Sequence, residues 1–198
     1  MGKNKNMKQV VRIMEKWGLP LILVIGVVLG FSAASLLTQH AECETCLIGS
    51  AQPVFSPGSE EEIIGLIDSA NESVEVEMFL FSYEPLADAL IRAKERGVEV
   101  RVILEPRLDS PNYNLETMDQ LRAGGVEARW ATLEYDKTHS KLMIVDGKKV
   151  LVGSINWSRT ALNWNREAAV IIDDEGIAAE FLEEFEKDWD KATTQANS

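Results

Sequence analysis

From residue 59 onward the chain switches repeatedly between a helical and a strand rhythm of apolar positions. Ser59 with Glu62 three positions on is a capping-box pattern, and Ile63, Ile64, Leu66 and Ile67 behind it supply the apolar face of a helix. Ser73 to Phe81 first alternates and then becomes apolar throughout, which predicts a strand that ends up buried. Pro85 begins a second helix and Gly97 ends it. Val98 to Leu104 reads as a strand. Leu115, Met118 and Leu121 mark a helix over Asn114 to Ala123, stopped by Gly124-Gly125. Val126 to Trp130 is a short strand, and Leu133 to Lys137 is a polar approach to the next one. Ser140 to Val145 and Lys149 to Gly153 are two more strands, joined by the strong turn signal Asp146-Gly147. Ala168 to Ile172 is the last strand. A final helix from about Glu175 to Lys191 buries Ile177, Phe181, Leu182, Phe185 and Trp189, leaving Glu180, Glu183, Glu184 and Glu186 on a solvated face. Strands alternating with helices predict an α/β domain: a mixed β-sheet flanked by helices. No internal repeat or low-complexity tract interrupts it.

The amino-terminal part has a different pattern. Residues 1–16 are basic and polar, whereas Trp17 to Gln39 contains no charged residue and is mostly apolar. Crossing the hydrocarbon core takes about 20 helical residues, so residues 17–39 are expected to form a single transmembrane anchor. Gln39-His40-Ala41 matches a signal-peptide cleavage site poorly. The basic amino end should stay cytoplasmic, placing the rest of the chain outside the cytoplasm. Residues 40–59, with Pro53, Pro57 and Gly58, read as a linker. Residues 60–193 would be the folded domain and 194–198 a tail.

Charge sharpens this division. Residues 1–40 hold five basic groups (Lys3, Lys5, Lys8, Arg12, Lys16) and one acid (Glu15), a net of +4, so of the chain's formal charge of −12 the remainder carries −16. Such a domain is on average repelled by nucleic acid and by anionic lipid. Only a local groove of basic residues would override that mean, and Arg101, Arg107, Arg129, Lys137, Lys148, Lys149, Arg159 and Arg166 are its candidates. The only cysteines, Cys43 and Cys46, make no disulfide framework. With His40 they offer three metal ligands without a fourth, so we read them as a local disulfide or free thiols. The only other histidine is His139, which leaves the folded domain without a histidine cluster for zinc.

His139 and Lys141 fall on one face of a strand end, and Ser154 and Asn156 share a face at the end of the next. An imidazole, an ammonium, a hydroxyl and an amide on neighbouring strand ends suit a phosphate.

The stretch resembles the phospholipase D superfamily, whose signature His-x-Lys-x4-Asp is met by His139, Lys141 and Asp146. Its downstream Gly-Ser-x-Asn is met by Gly153, Ser154 and Asn156, and its later glutamate by Glu167. The run from Val74 to Pro106 also resembles the family. The resemblance implies a phospholipase D-like α/β/α sandwich and a phosphodiester hydrolase that needs no cofactor and no metal. His139 would be the nucleophile, passing through a phosphohistidine. Lys141, Asn156 and Ser154 would bind phosphate oxygens, Glu167 would orient an imidazole, and Asp146 would be either catalytic or simply a turn residue. The family mechanism uses two histidines, and this domain has one. The resemblance therefore implies a homodimer with a composite active site at its interface. Trp157 and Trp164, near the motif, are expected in core or interface packing rather than in a substrate groove.

Three functions remain open at this level. One is a membrane-anchored phospholipase D acting on phospholipid, slightly favoured because tethering raises local lipid concentration. The second is an endonuclease cleaving DNA or RNA by the same mechanism. The third is a catalytically silent, membrane-tethered phosphate-binding scaffold, against which an intact His139 argues.

Overall fold

A computed structural model describes residues 49–108 and 113–195. The expected membrane segment at residues 17–39, together with His40, Cys43 and Cys46, lies outside the described residues. Among the described residues no helix is long and apolar enough to cross a membrane.

Seven strands form one mixed sheet. They are β1 (Ser50–Phe55), β2 (Ser73–Met78), β3 (Glu99–Leu104), β4 (Glu127–Trp130), β5 (Lys141–Val145), β6 (Lys149–Gly153) and β7 (Ala168–Asp173). Their order across the sheet is β1-β7-β6-β5-β2-β3-β4. β2, β3 and β4 run parallel; β5 is antiparallel to β2, and the β5–β6, β6–β7 and β7–β1 pairs are all antiparallel. The parallel pairs need helical crossovers. The helices of this part of the chain are α1 (Glu60–Asp68), α2 (Glu84–Glu95) and α3 (Asn114–Ala123), of which α2 links β2 to β3 and α3 links β3 to β4; α4 (Arg159–Asn163) and α5 (Glu175–Lys191) come later.

Strand alternation gives the sheet two buried faces. Val102 and Met143 pack with the apolar sides of α1, α2 and α3, among them Ile67, Leu90 and Leu121. Their chain neighbours Ile103, Leu142 and Ile144 point the other way, into a second core closed by Ala178, Phe185 and Trp189 of α5. The expected mixed sheet flanked by helices is therefore present, with a helical layer on each face.

Local differences from the expectation have identifiable causes. The stretch read as a linker contains β1. It is an edge strand in which only Val54 is buried, so it carries no hydrophobic period, and Pro53 is tolerated at an edge. Ser59 does not cap α1. Its backbone is already helical (φ −79°, ψ −6°), whereas a capping side chain needs an extended one, and its hydroxyl is buried without a partner among the described residues. Glu62 instead accepts a hydrogen bond from Gln52 of β1. In α3, Leu115 is exposed while Asn114 and Thr117 face inward. They do so because Asn114 Oδ1 accepts from the Phe81 amide at 2.8 Å and Thr117 Oγ1 donates to the Phe81 carbonyl at 2.6 Å. In α5, Ile177, Phe181 and Leu182 are only half-buried, and Glu186, expected in solvent, is bonded to Arg101 at 2.6 Å. The short α4 was not expected; Ser158 caps it, accepting from the Ala161 amide at 3.2 Å.

Candidate active site

The first residue of β5, Lys141, pairs with the last residue of β2, Met78. The Phe79 amide donates to the Ser140 carbonyl at 2.9 Å, carrying this pairing one step beyond the strands. His139 thus leaves the sheet beside Phe79, and the two rings meet with centroids 4.3 Å apart at 45°. Lys141 Nζ lies 3.1 Å from His139 Nδ1 and donates to the His139 carbonyl at 2.7 Å. The Phe79 ring also receives the ammonium groups of Lys141 at 4.9 Å and Lys137 at 5.6 Å. The side chain of His139 is exposed on this surface.

Electrostatics favour a neutral imidazole. Partial desolvation and the charges of Lys141 and Lys137 lower the His139 pKa from its ordinary value. Desolvation also lowers that of Lys141, opposed by the carboxylate of Glu167.

The rest of the site sits on β6 and β7. Gly153 is required by close approach: a Cβ there would meet the Ala168 carbonyl oxygen at 2.4 Å. Beyond it, the Ser154 amide donates to that carbonyl at 2.9 Å. Ser154 Oγ donates to Glu167 Oε2 at 2.5 Å and accepts from the Ala168 amide at 3.2 Å. Asn165 Nδ2 donates to the other Glu167 oxygen at 3.1 Å. Glu167 is held from behind by Ser56 at the end of β1, whose Oγ accepts from the Glu167 amide at 3.1 Å. Asn156 Oδ1 is buried and has no hydrogen-bond partner among the described residues. His139, Lys141, Ser154, Asn156 and Glu167 are therefore all carried at one end of the sheet.

Asp146 is not among them. It stands at the far end of β5, roughly 16 Å from Lys141 at the usual rise per residue. Asp146 and Gly147 both have positive φ (54° and 59°), which makes the two-residue hairpin turn between β5 and β6. Its carboxylate accepts from the amides of Asn71 at 3.1 Å, Glu72 at 2.8 Å and Ser73 at 3.0 Å. Partial burial pushes its pKa up, but these amide hydrogen bonds outweigh it and hold the carboxyl below the usual range. Of the two readings left open for Asp146, the geometry supports the turn residue.

Several residues of the site were not anticipated. Phe79 supplies the wall behind His139. Glu105, completely buried at the end of β3, accepts from the Thr138 amide at 2.6 Å and from Arg107 Nε at 2.8 Å. Asn114 Nδ2 donates to the Phe79 and Glu105 carbonyls at 2.8 and 2.9 Å. The sole sequence signal for Glu105 is a charge immediately after the apolar run of β3, which reads more naturally as a strand stop. Trp157 is in the core, edge-on to Phe81 at 4.8 Å, whereas Trp164 is 70% exposed.

The basic residues proposed for a groove divide in two. Arg107, Lys137, Arg159 and Arg166 belong to loops and a short helix at the site end of the sheet. Arg101 is tied to Glu75 and Glu186, Arg129 stacks on Trp189 at 4.1 Å, and Lys148 and Lys149 sit at the Asp146 end, paired with Glu72 and Asp173.

Residues 63–189 match the family described as cardiolipin synthase, PLD-like domain. The mitochondrial cardiolipin hydrolase of Mus musculus is 34% identical over 145 residues, covering 72% of this chain but only 64% of that protein, less than two thirds of its length. A phospholipase D of Rickettsia conorii is 30% identical over 158 residues, covering 77% of this chain and 76% of that one. Among solved structures, Nuc of Salmonella typhimurium, a phospholipase D family member, superposes with a TM-score of 0.70 at 28% identity, covering 75% of this chain and 99% of that one.

Proposed function

The chain belongs to the phospholipase D-like family, and from that premise we propose that it is a membrane-anchored phosphodiesterase working through a phosphohistidine, with phospholipid as its substrate. The observation that carries the reading is the pairing of an exposed, neutral-leaning His139 with the ammonium of Lys141 3.1 Å away. An imidazole nitrogen attacks phosphorus while Lys141 and the amide of Asn156 hold the non-bridging oxygens. The bond from phosphorus to the leaving oxygen breaks, and that oxygen takes a proton from a second imidazole. Water, giving its proton back to that second imidazole, then attacks phosphorus and releases the nitrogen. Because the folded domain has a single histidine, the second imidazole is the same residue of a twin subunit, giving a homodimer with one composite site. Glu167, bonded to Ser154, stabilises the charged site from the β7 side.

Lipid is favoured by the relatives named cardiolipin hydrolase and phospholipase D. The uncharged stretch at residues 17–39 adds to it as an anchor that holds the catalytic domain outside the cytoplasm. The nuclease reading draws on Arg107, Lys137, Arg159 and Arg166 at the site end. Assaying the full chain on phospholipid vesicles and on single- and double-stranded nucleic acid, with chelator present and His139→Ala as control, separates the two. Lipid turnover that vanishes in the variant supports the phospholipase. Nucleic-acid cleavage that vanishes replaces it with the nuclease. Turnover that survives His139→Ala refutes the mechanism.

A further inference from the structure

The segment that delivers His139 to the site is fastened from below by a side chain outside the motif. Glu105 immediately follows β3, with its side chain completely buried. One oxygen accepts from the Thr138 amide at 2.6 Å, the residue immediately before His139; the other accepts from the Arg107 amide and from Arg107 Nε, each at 2.8 Å. Arg107 also reaches forward, donating from Nη1 to the Tyr135 carbonyl at 2.7 Å. The approach segment is therefore gripped at 135 and at 138. Asn114, also buried, bonds the carbonyls of Phe79 and Glu105 and so holds the ring wall of His139 to the same base. A carboxylate is taken out of water at a large cost unless its partners are fixed. Here they are a main-chain amide next to the nucleophile and a guanidinium two residues along.

We propose that Glu105 and Arg107 form a clamp that positions His139, with Glu105 acting as a positioning residue through the Thr138 amide. Resting on the reading of His139 as nucleophile, it makes the placement of the imidazole depend on a buried carboxylate bonded one residue behind it. The charged groups that act on that imidazole are Lys141 and Lys137, while Asp136 acts on Arg107 of the clamp and Glu167 on Lys141.

The two halves of the clamp carry opposite charge, so their removal moves His139 in opposite directions. The full chain, in detergent, contains two histidines, His139 and His40, so the ring resonances of His139 can be followed by NMR through a pH titration. In Glu105→Gln the midpoint of His139 falls, because the clamp then carries only the positive charge of Arg107. Turnover of bis(4-nitrophenyl) phosphate drops about a hundredfold in kcat, with KM within about twofold, since a displaced nucleophile loses rate rather than affinity. Glu105→Asp recovers part of the rate. In Arg107→Gln the midpoint rises instead and kcat falls several-fold. Arg107 is one-third exposed, so this variant carries the test if Glu105→Gln does not melt cooperatively. Midpoints that stay within about a tenth of a pH unit in folded variants, or that shift in the same direction in both, overturn the clamp. If the parent chain hydrolyses no phosphodiester, the functional reading falls while the titration still decides the clamp.

Discussion

At one end of β5 the carboxylate of Asp146 accepts hydrogen bonds from three successive main-chain amides. At the other, the ammonium of Lys141 meets the carbonyl and ring of His139 and the face of Phe79, and among the described residues Asn156 leaves a buried oxygen without a partner. Both ends belong to one short motif and both are polar. The difference is saturation. A carboxylate committed to three amides has little left for a substrate and much to do for the turn. Ammonium and imidazole groups whose bonding capacity is left open are available to a phosphate. Polar residues brought together by a motif thus separate into holders of the fold and handlers of the ligand.

The largest expected effects test the unsaturated end. His139→Ala should lower phosphodiester turnover by at least about 10⁴-fold, with the melting temperature unchanged because the side chain is exposed. Lys141→Met should cost about 10²- to 10³-fold in kcat. A His139→Ala protein that turns over normally breaks the comparison outright.

Next comes a carboxyl that lacks the amides Asp146 enjoys. Glu77, on β2 beside the site end, is buried; desolvation first, and the charge of Asp188 second, push it up to about 7 against the bond from Ser140. Its folded value is raised, so the native state binds the proton more tightly and the contribution to stability is full below the unfolded pKa of about 4.5. It is lost as pH rises toward 7. Denaturant unfolding of the parent should weaken between pH 5 and 8 by on the order of 2–3 kcal/mol, and Glu77→Gln should flatten that slope. A slope that persists in the variant assigns it elsewhere.

Asp146→Ala should lower stability by about 2 kcal/mol and leave kcat within about threefold. Here the sign reverses. The folded pKa is depressed, so the stabilisation is present above the unfolded carboxyl's pKa and disappears as pH falls through the lower folded value. Parent and variant should therefore converge in stability in acid. Lost activity with intact stability would return Asp146 to the catalytic group.

The smallest effect sharpens the rule. Among the described residues Ser59 Oγ is also buried and unpaired, at the start of α1. Ser59→Ala should alter stability by less than about 0.5 kcal/mol, read as a denaturation midpoint, whereas a working cap would cost about 1 kcal/mol. An unpaired atom marks a site only where others converge on it.

The sequence by itself determined the alternation of strands and helices, the span of α5 from Glu175 to Lys191, the β5–β6 hairpin at Asp146-Gly147, and the gathering of His139, Lys141, Ser154, Asn156 and Glu167. These come from hydrophobic period, turn chemistry and motif spacing, all local to the chain. Only the tertiary structure decided that residues 50–55 close the sheet as its edge, because an edge strand is held by main-chain bonds that leave no hydrophobic rhythm. It alone decided that Asn114 and Thr117 rather than Leu115 turn inward, because the Phe81 backbone waits there for partners. And it alone placed Asp146 a whole strand away from His139 and Glu105 directly behind it. Five residues of extended chain carry the one out of reach, while the parallel crossover from β2 through α2 to β3 brings the other within a hydrogen bond of Thr138.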